Sequence, residues 1–195
     1  MENKQGSRIS VDGIKFTRMR VPDVILVEPP FFEDARGFFL ETYHTEKYAR
    51  GGVTGTFVQC NRSYSVKGVL RGLHLQLAHP QGKLVSVIEG EVFDVAVDVR
   101  KGSPSFKQWV GVVLSGDNFK QMYIPPGFAH GFCTLSEYAH LQYQCTDFYD
   151  PAGELGIIWN DPEIGIEWPL ADPILSKKDS ALPLFKEVTG RLPTI

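Results

Sequence analysis

Short runs of alternating apolar and polar residues fill most of this chain, separated by Gly, Pro, Ser and Asp at spacings of about 8–12 residues. This rhythm predicts strand after strand. Val24 to Val27 is a β-branched run ended by Pro29-Pro30, and a turn at Asp34 to Gly37 between Phe31-Phe32 and Phe38-Phe39 predicts a hairpin. Tyr43 to Arg50 reads as one short helix. Strands are then expected over Phe57 to Ser63, Val69 to Gln76, Lys83 to Ile88, Glu91 to Arg100, Gln108 to Leu114, Lys120 to Ile124, His130 to Leu135 and Ala139 to Phe148. After a turn at Tyr149 to Pro151 the pattern loosens. Ile157 to Pro162 reads as a short strand closing into a loop, Ile166 to Pro169 as an apolar segment, and Leu175 to Asp179 as the start of a helical turn with Ser176 as its cap. Residues 1–20 open polar and turn basic, as a loose arm or an edge segment would. With no βαβ alternation and no fixed-period repeat, the expected architecture is all-β. It is a jelly roll, as a sandwich or small barrel with a few short peripheral helices, in a single domain over residues 1–195.

Two strands carry polar residues on a face of their own. In Val69 to Gln76, alternation puts His74 with Gly72 and Gln76, while Leu73 and Leu75 point the other way into packing. Strict alternation also sends Arg71 to the face opposite His74. Either a bulge at Gly72 turns it round or it approaches from the rim. In Phe93 to Val99, Phe93, Val95, Val97 and Val99 share one face, and Asp94, Ala96 and Asp98 the other. Two acids around a small residue suit a wet cavity wall or a plain solvent face, and the sequence alone favours solvent.

Composition narrows the function. At 195 residues, with 43% hydrophobic, 12% aromatic and 22% charged residues, the chain has the balance of an ordinary folded domain. A net charge of -3 offers no general basic field for nucleic acid or anionic membrane, although a local basic pocket for a phosphate remains allowed. Cys60, Cys133 and Cys145 cannot all pair and form no C-x-x-C, so they read as reduced thiols. The first ten residues hold no apolar leader, and no apolar run approaches the ~18 residues of a membrane helix. The cytoplasm is the expected compartment.

His74 followed at a distance by Pro125-Pro126-Gly127-Phe128-Ala129-His130-Gly131 resembles the cupin superfamily, whose metal sites use an H-x-H pair, a carboxylate and a distal histidine. Here the pair reads His74-Leu75-Gln76. A neutral glutamine is a weak ligand, and His79 beside Pro80 is poorly phased to replace it, so no metal site is expected. His44, His79 and His140 read as surface or packing residues. There is no G-x-S-x-G, no P-loop and no G-x-G-x-x-G. General acid–base chemistry remains. It needs a histidine, a carboxylate to orient it, an oxyanion stabiliser and often a second acid across the substrate. His74, a carboxylate such as Asp179, Lys83 and Tyr143 supply these types, though spacing alone does not bring them together.

Together these residues carry a more specific resemblance. The segments Asp34 to Phe39, Gln59-Cys60-Asn61, Val69 to Gln76, Gln81 to Val85, Gly90 to Arg100, Ile124 to Phe132, Trp159-Asn160-Asp161 and Leu175 to Asp179 resemble, in order, the dTDP-4-dehydrorhamnose 3,5-epimerase family. The likeness runs from about Val21 to Pro183. It implies His74 as the base, paired with Asp179, Tyr143 as the acid and Lys83 at the sugar ketone. It implies substrate contacts at Arg36, Glu41, Gln59, Asn61, Arg71, His130, Glu154 and Lys178, with Tyr149 stacking on the thymine. It implies no cofactor, a dTDP-linked 4-keto-6-deoxy sugar as substrate, and a homodimer in which Arg36 and Glu41 reach into the neighbouring subunit's site. Some relatives epimerise a single carbon, and a jelly roll that only binds sugar or nucleotide would share the fold.

Overall fold

The computed structural model describes residues 7–195, so the first six residues of the expected arm lie outside it. In chain order the strands are β1 (Arg8–Val11), β2 (Ile14–Arg18), β3 (Ile25–Glu28), β4 (Phe31–Asp34), β5 (Gly37–Leu40), β6 (Gln59–Val66), β7 (Leu70–Gln76), β8 (Lys83–Glu89), β9 (Glu91–Asp98), β10 (Trp109–Ser115), β11 (Gln121–Ile124), β12 (Phe128–Thr134), β13 (Tyr138–Cys145) and β14 (Glu154–Gly156). Helices α1 (Thr45–Arg50) and α2 (Phe185–Val188) are peripheral. A seven-stranded sheet, β1-β2-β3-β11-β8-β13-β6, faces a five-stranded sheet, β10-β9-β12-β7-β14, and β4-β5 forms a separate hairpin. This is the jelly-roll sandwich of the cupin class. No helix among the described residues is long and apolar enough to cross a membrane.

Three apolar layers hold it. Val85, Val87 and Leu141 of the large sheet meet Ala96, Phe128 and Phe132 of the small one between the sheets. Outside the small sheet, Leu73, Leu75, Val95, Val97, Ala129 and Leu155 pack under Ile157, Ile164, Phe185, Val188 and Leu192 of the C-terminal segment. Outside the large sheet, Val11, Ile14, Phe16, Val27 and Leu84 are covered by Tyr48 of α1 and by Val53. Full burial of such a side chain is worth roughly 1.5–3 kcal/mol relative to exposure, so both outer covers are part of the stability.

The outer covers explain where the sequence pattern misled. β9 is buried on both faces: its Val95 and Val97 lie under the C-terminal segment, while Asp94, Ala96 and Asp98 point between the sheets. The expectation of a solvated acidic face is therefore wrong. Asp98 is satisfied there by Arg100, Ser103 and Ser105. At the N-terminus, β1 and β2 form the edge of the large sheet, yet Val11, Ile14 and Phe16 are buried, so this edge segment is also core. The short strand expected at Ile157 to Pro162 lies earlier, at β14, and the tail beyond Pro183 folds into α2 and a 3-10 turn at Thr189–Arg191.

The pairing of β7 with β12 is irregular at one point. His74 stands opposite His130 but Arg71 stands opposite Phe132, so Gly72 and Leu73 together face Gly131 alone. That extra residue is a β-bulge, and it turns Arg71 onto the face of His74. Gly72 has φ +117°, and a Cβ there would fall 2.6 Å from Gly131 Cα and 2.7 Å from the His130 carbonyl oxygen. Only glycine fits.

Candidate active site

A cavity of about 450 Å³ opens between the two sheets. His74, Arg71 and His130 reach it from the small sheet, and Gln59, Asn61, Lys83 and Tyr143 from the large one. Glu154 enters from β14, Lys178 and Asp179 from the C-terminal turn, and Tyr149 from the loop after β13. The four expected chemical residues and seven of the nine expected contact residues thus converge.

His74 Nε2 lies 2.7 Å from Asp179 Oδ1, although the two are 105 residues apart. Asp179 is placed by the turn the sequence predicted, its backbone N–H donating to Ser176 Oγ at 3.0 Å. Burial pushes its carboxyl up, but the His74 ring, the Ser176 side chain and the Lys178 charge outweigh this and hold it below the ordinary 3.8. An ionised Asp179 only accepts, so Nε2 carries the proton and Nδ1 is the nitrogen left with a lone pair. Glu154 Oε1 stands 3.8 Å from that Nδ1. Burial raises the Glu154 carboxyl too. Lys178 Nζ at 2.5 Å and Tyr149 Oη at 2.9 Å, both donating to Oε2, bring it below its ordinary value.

Across the cavity, withdrawal from water pulls Lys83 below its ordinary 10.5, with Cys145, Asp94 and Glu154 opposing the fall from a distance. Burial pushes the Tyr143 phenol up, helped by Cys145 and Glu154 and resisted by Arg71, so at neutral pH it is a proton donor. Arg71 is aimed by Ser65 Oγ at 3.0 Å and the Tyr64 carbonyl at 3.2 Å. Gln76 uses both ends of its amide on the Asp150 backbone, donating to the carbonyl at 2.9 Å and accepting from the N–H at 3.0 Å. Gln59 accepts from the Tyr149 N–H at 3.0 Å and donates to Asn61 at 3.0 Å. The two glutamines fix the loop that displays the Tyr149 ring. No group of three or more His, Cys, Asp or Glu side chains among the described residues is placed to hold a metal ion.

With that geometry in place, residues 18–187 match the sequence profile of the family described as dTDP-4-dehydrorhamnose 3,5-epimerase. The chain belongs to this family. It is 57% identical over 168 residues to the dTDP-4-dehydrorhamnose 3,5-epimerase of Pseudomonas aeruginosa, covering 85% of this chain and 93% of that protein. The enzyme of the same name from Salmonella typhimurium is 55% identical over 170 residues, 86% of this chain and 93% of that one. Among solved structures, the Legionella pneumophila dTDP-6-deoxy-D-glucose-3,5-epimerase in complex with dTDP-4-keto-L-rhamnose superposes with a TM-score of 0.90 at 49% identity, covering 93% of this chain and 98% of that one.

Two expected contact residues of this epimerase-family chain stand outside the cavity. Arg36, its side chain 90% exposed, pairs with Asp34 in the hairpin turn at 2.6 Å, and Glu41 pairs with Lys47 at 2.8 Å. Sequence reasoning also missed several residues that line or support the cavity. Ser63 and Gln81 line it, as do Gln76, placed by alternation on the face of His74, and Ser176, read only as a cap, and Asp94 backs it by bonding His130 at 2.7 Å. The signal for Asp94 was the Asp-x-Ala-x-Asp alternation, which fits a cavity wall as well as a solvent face. The three remaining histidines are peripheral, as expected: His44 caps α1, His79 pairs with Asp147 and His140 accepts from Arg62.

Proposed function

We propose that this chain inverts C3 and C5 of dTDP-4-dehydro-6-deoxy-D-glucose, giving dTDP-4-dehydro-L-rhamnose, with His74 as base and Tyr143 as acid. The observation that carries this reading is their placement on opposite walls of one cavity, His74 on the small sheet and Tyr143 on the large. Both hydrogens are α to one carbonyl, so a single base serves either carbon if the enolate is stabilised. His74 Nδ1 takes the proton, and Asp179 at 2.7 Å and Glu154 at 3.8 Å favour the imidazolium that forms. The Lys83 ammonium meets the developing oxyanion. Tyr143 then delivers a proton to the other face, which inverts the centre. Arg71 and Lys178 are cations for the diphosphate, and the exposed Tyr149 ring offers a stacking surface for thymine.

The test is solvent exchange. In D₂O the protein is expected to place deuterium at C3 and C5 of the substrate. Tyr143→Phe keeps the ring and loses the hydroxyl, so exchange persists while epimerisation falls by about 10²–10⁴-fold. Exchange at one carbon only would mean a single-carbon epimerase, and none at either would mean a sugar-binding module.

The same reading makes the protein a homodimer. Phe32 and Phe39 on the hairpin are 67% and 70% exposed, beside an Arg36 that lies outside its own chain's cavity. A second copy that accepts this hairpin accounts for both. Arg36→Ala and His74→Ala chains, each deficient alone, should recover activity when refolded together, because one of the two mixed sites is then intact.

A further inference from the structure

The small-sheet wall carries a second histidine–carboxylate pair to which the proton transfers assign no part. His130 on β12 stands directly opposite His74, lines the cavity, and has Nε2 2.7 Å from Asp94 Oδ1. Asp94 is fully buried, and its Oδ2 has no hydrogen-bond partner among the described residues. A buried carboxylate with a half-empty set of partners is costly. Four residues on, Asp98 is as deeply buried but is held by the Arg100 guanidinium at 2.7 and 2.9 Å, the Arg100 N–H at 3.0 Å, and the Ser103 and Ser105 hydroxyls at 2.5 and 2.6 Å. Asp98 ties a loop down. Asp94 ties nothing down except one ring in the cavity wall.

We propose that Asp94 is a positioning residue of this site: as a buried carboxylate it fixes His130 with Nε2–H turned inward and Nδ1 toward the cavity. The proposal rests on the epimerase reading of the cavity. It follows from valence. A carboxylate can only accept, so the proton of the bond belongs to Nε2, and Nδ1 is left to accept from a sugar hydroxyl.

Asp94→Asn in the full chain keeps the shape and removes the charge. Its kcat is expected to fall about 10²-fold, while the Kd for thymidine diphosphate by calorimetry stays within about threefold. An unchanged kcat, or kcat and thymidine diphosphate affinity lost in parallel, would overturn the proposal. Should the variant fail to fold, ¹⁵N-histidine NMR on the unmodified protein decides: the neutral His130 ring is expected as the Nε2–H tautomer. An Nδ1–H tautomer would require a protonated Asp94 and refute it. If the unmodified protein turned over no dTDP-4-keto sugar, the functional reading would fall instead, and the tautomer would still report on Asp94.

Discussion

His74–Asp179 and His130–Asp94 are built alike, each with ring Nε2 2.7 Å from a carboxylate oxygen, and they sit opposite each other on paired strands. They differ in what surrounds them. The His74 side chain is 28% exposed and that of His130 only 8%; the Asp179 backbone N–H is tied to Ser176 Oγ, and Asp94 has a buried oxygen with no partner among the described residues. A ring that must meet a substrate carbon needs open space beside its free nitrogen. A ring that must stay still needs enclosure. On the proposed roles, like hydrogen bonds serve different ends, and the difference in burial matches them.

The largest test of this contrast replaces each ring. His74→Ala should abolish deuterium exchange and epimerisation together, a loss of about 10⁴-fold, because without the base no enolate forms. His130→Ala should cost about 10²-fold and leave exchange measurable. Equal losses would erase the distinction. Next in size is the bulge that sets both rings in register. Gly72→Ala forces a Cβ to 2.6 Å from Gly131 Cα at φ +117°, and chemical denaturation should show a loss of about 3 kcal/mol. A change under about 0.5 kcal/mol would mean the strands can slip past the contact. Asp179→Asn keeps the ring of His74 but removes its anchor and the imidazolium's counter-charge, so kcat should fall about 10²-fold, less than for His74→Ala. If it matched His74→Ala, Asp179 would be doing more than orienting the ring.

The smallest effect is on acid stability. The folded Asp179 carboxyl lies below its ordinary 3.8, so its contribution is fully present above that pH and disappears as pH falls through the lower folded value. The urea midpoint of the parent should drop more steeply below about pH 4 than that of Asp179→Asn. Parallel curves would show that the bond contributes nothing to folding.

The sequence by itself determined the strands, because alternation is local: the hairpin at Phe31–Leu40, the helix at Thr45–Arg50 and the run of strands from β6 to β13 follow from period and turn residues. It also narrowed Arg71 to two options, since Gly72 is a residue that permits a bulge. Tertiary structure chose the bulge, because only pairing with β12 reveals that two residues face one. It also decided which side of β9 is inside. Alternation says that two faces differ but not what covers them, and here the C-terminal segment covers the apolar face while the second sheet encloses Asp94 and Asp98. Asp179 reaches His74 across 105 residues for the same reason. Proximity between distant segments is set by how layers stack, and no local pattern encodes that.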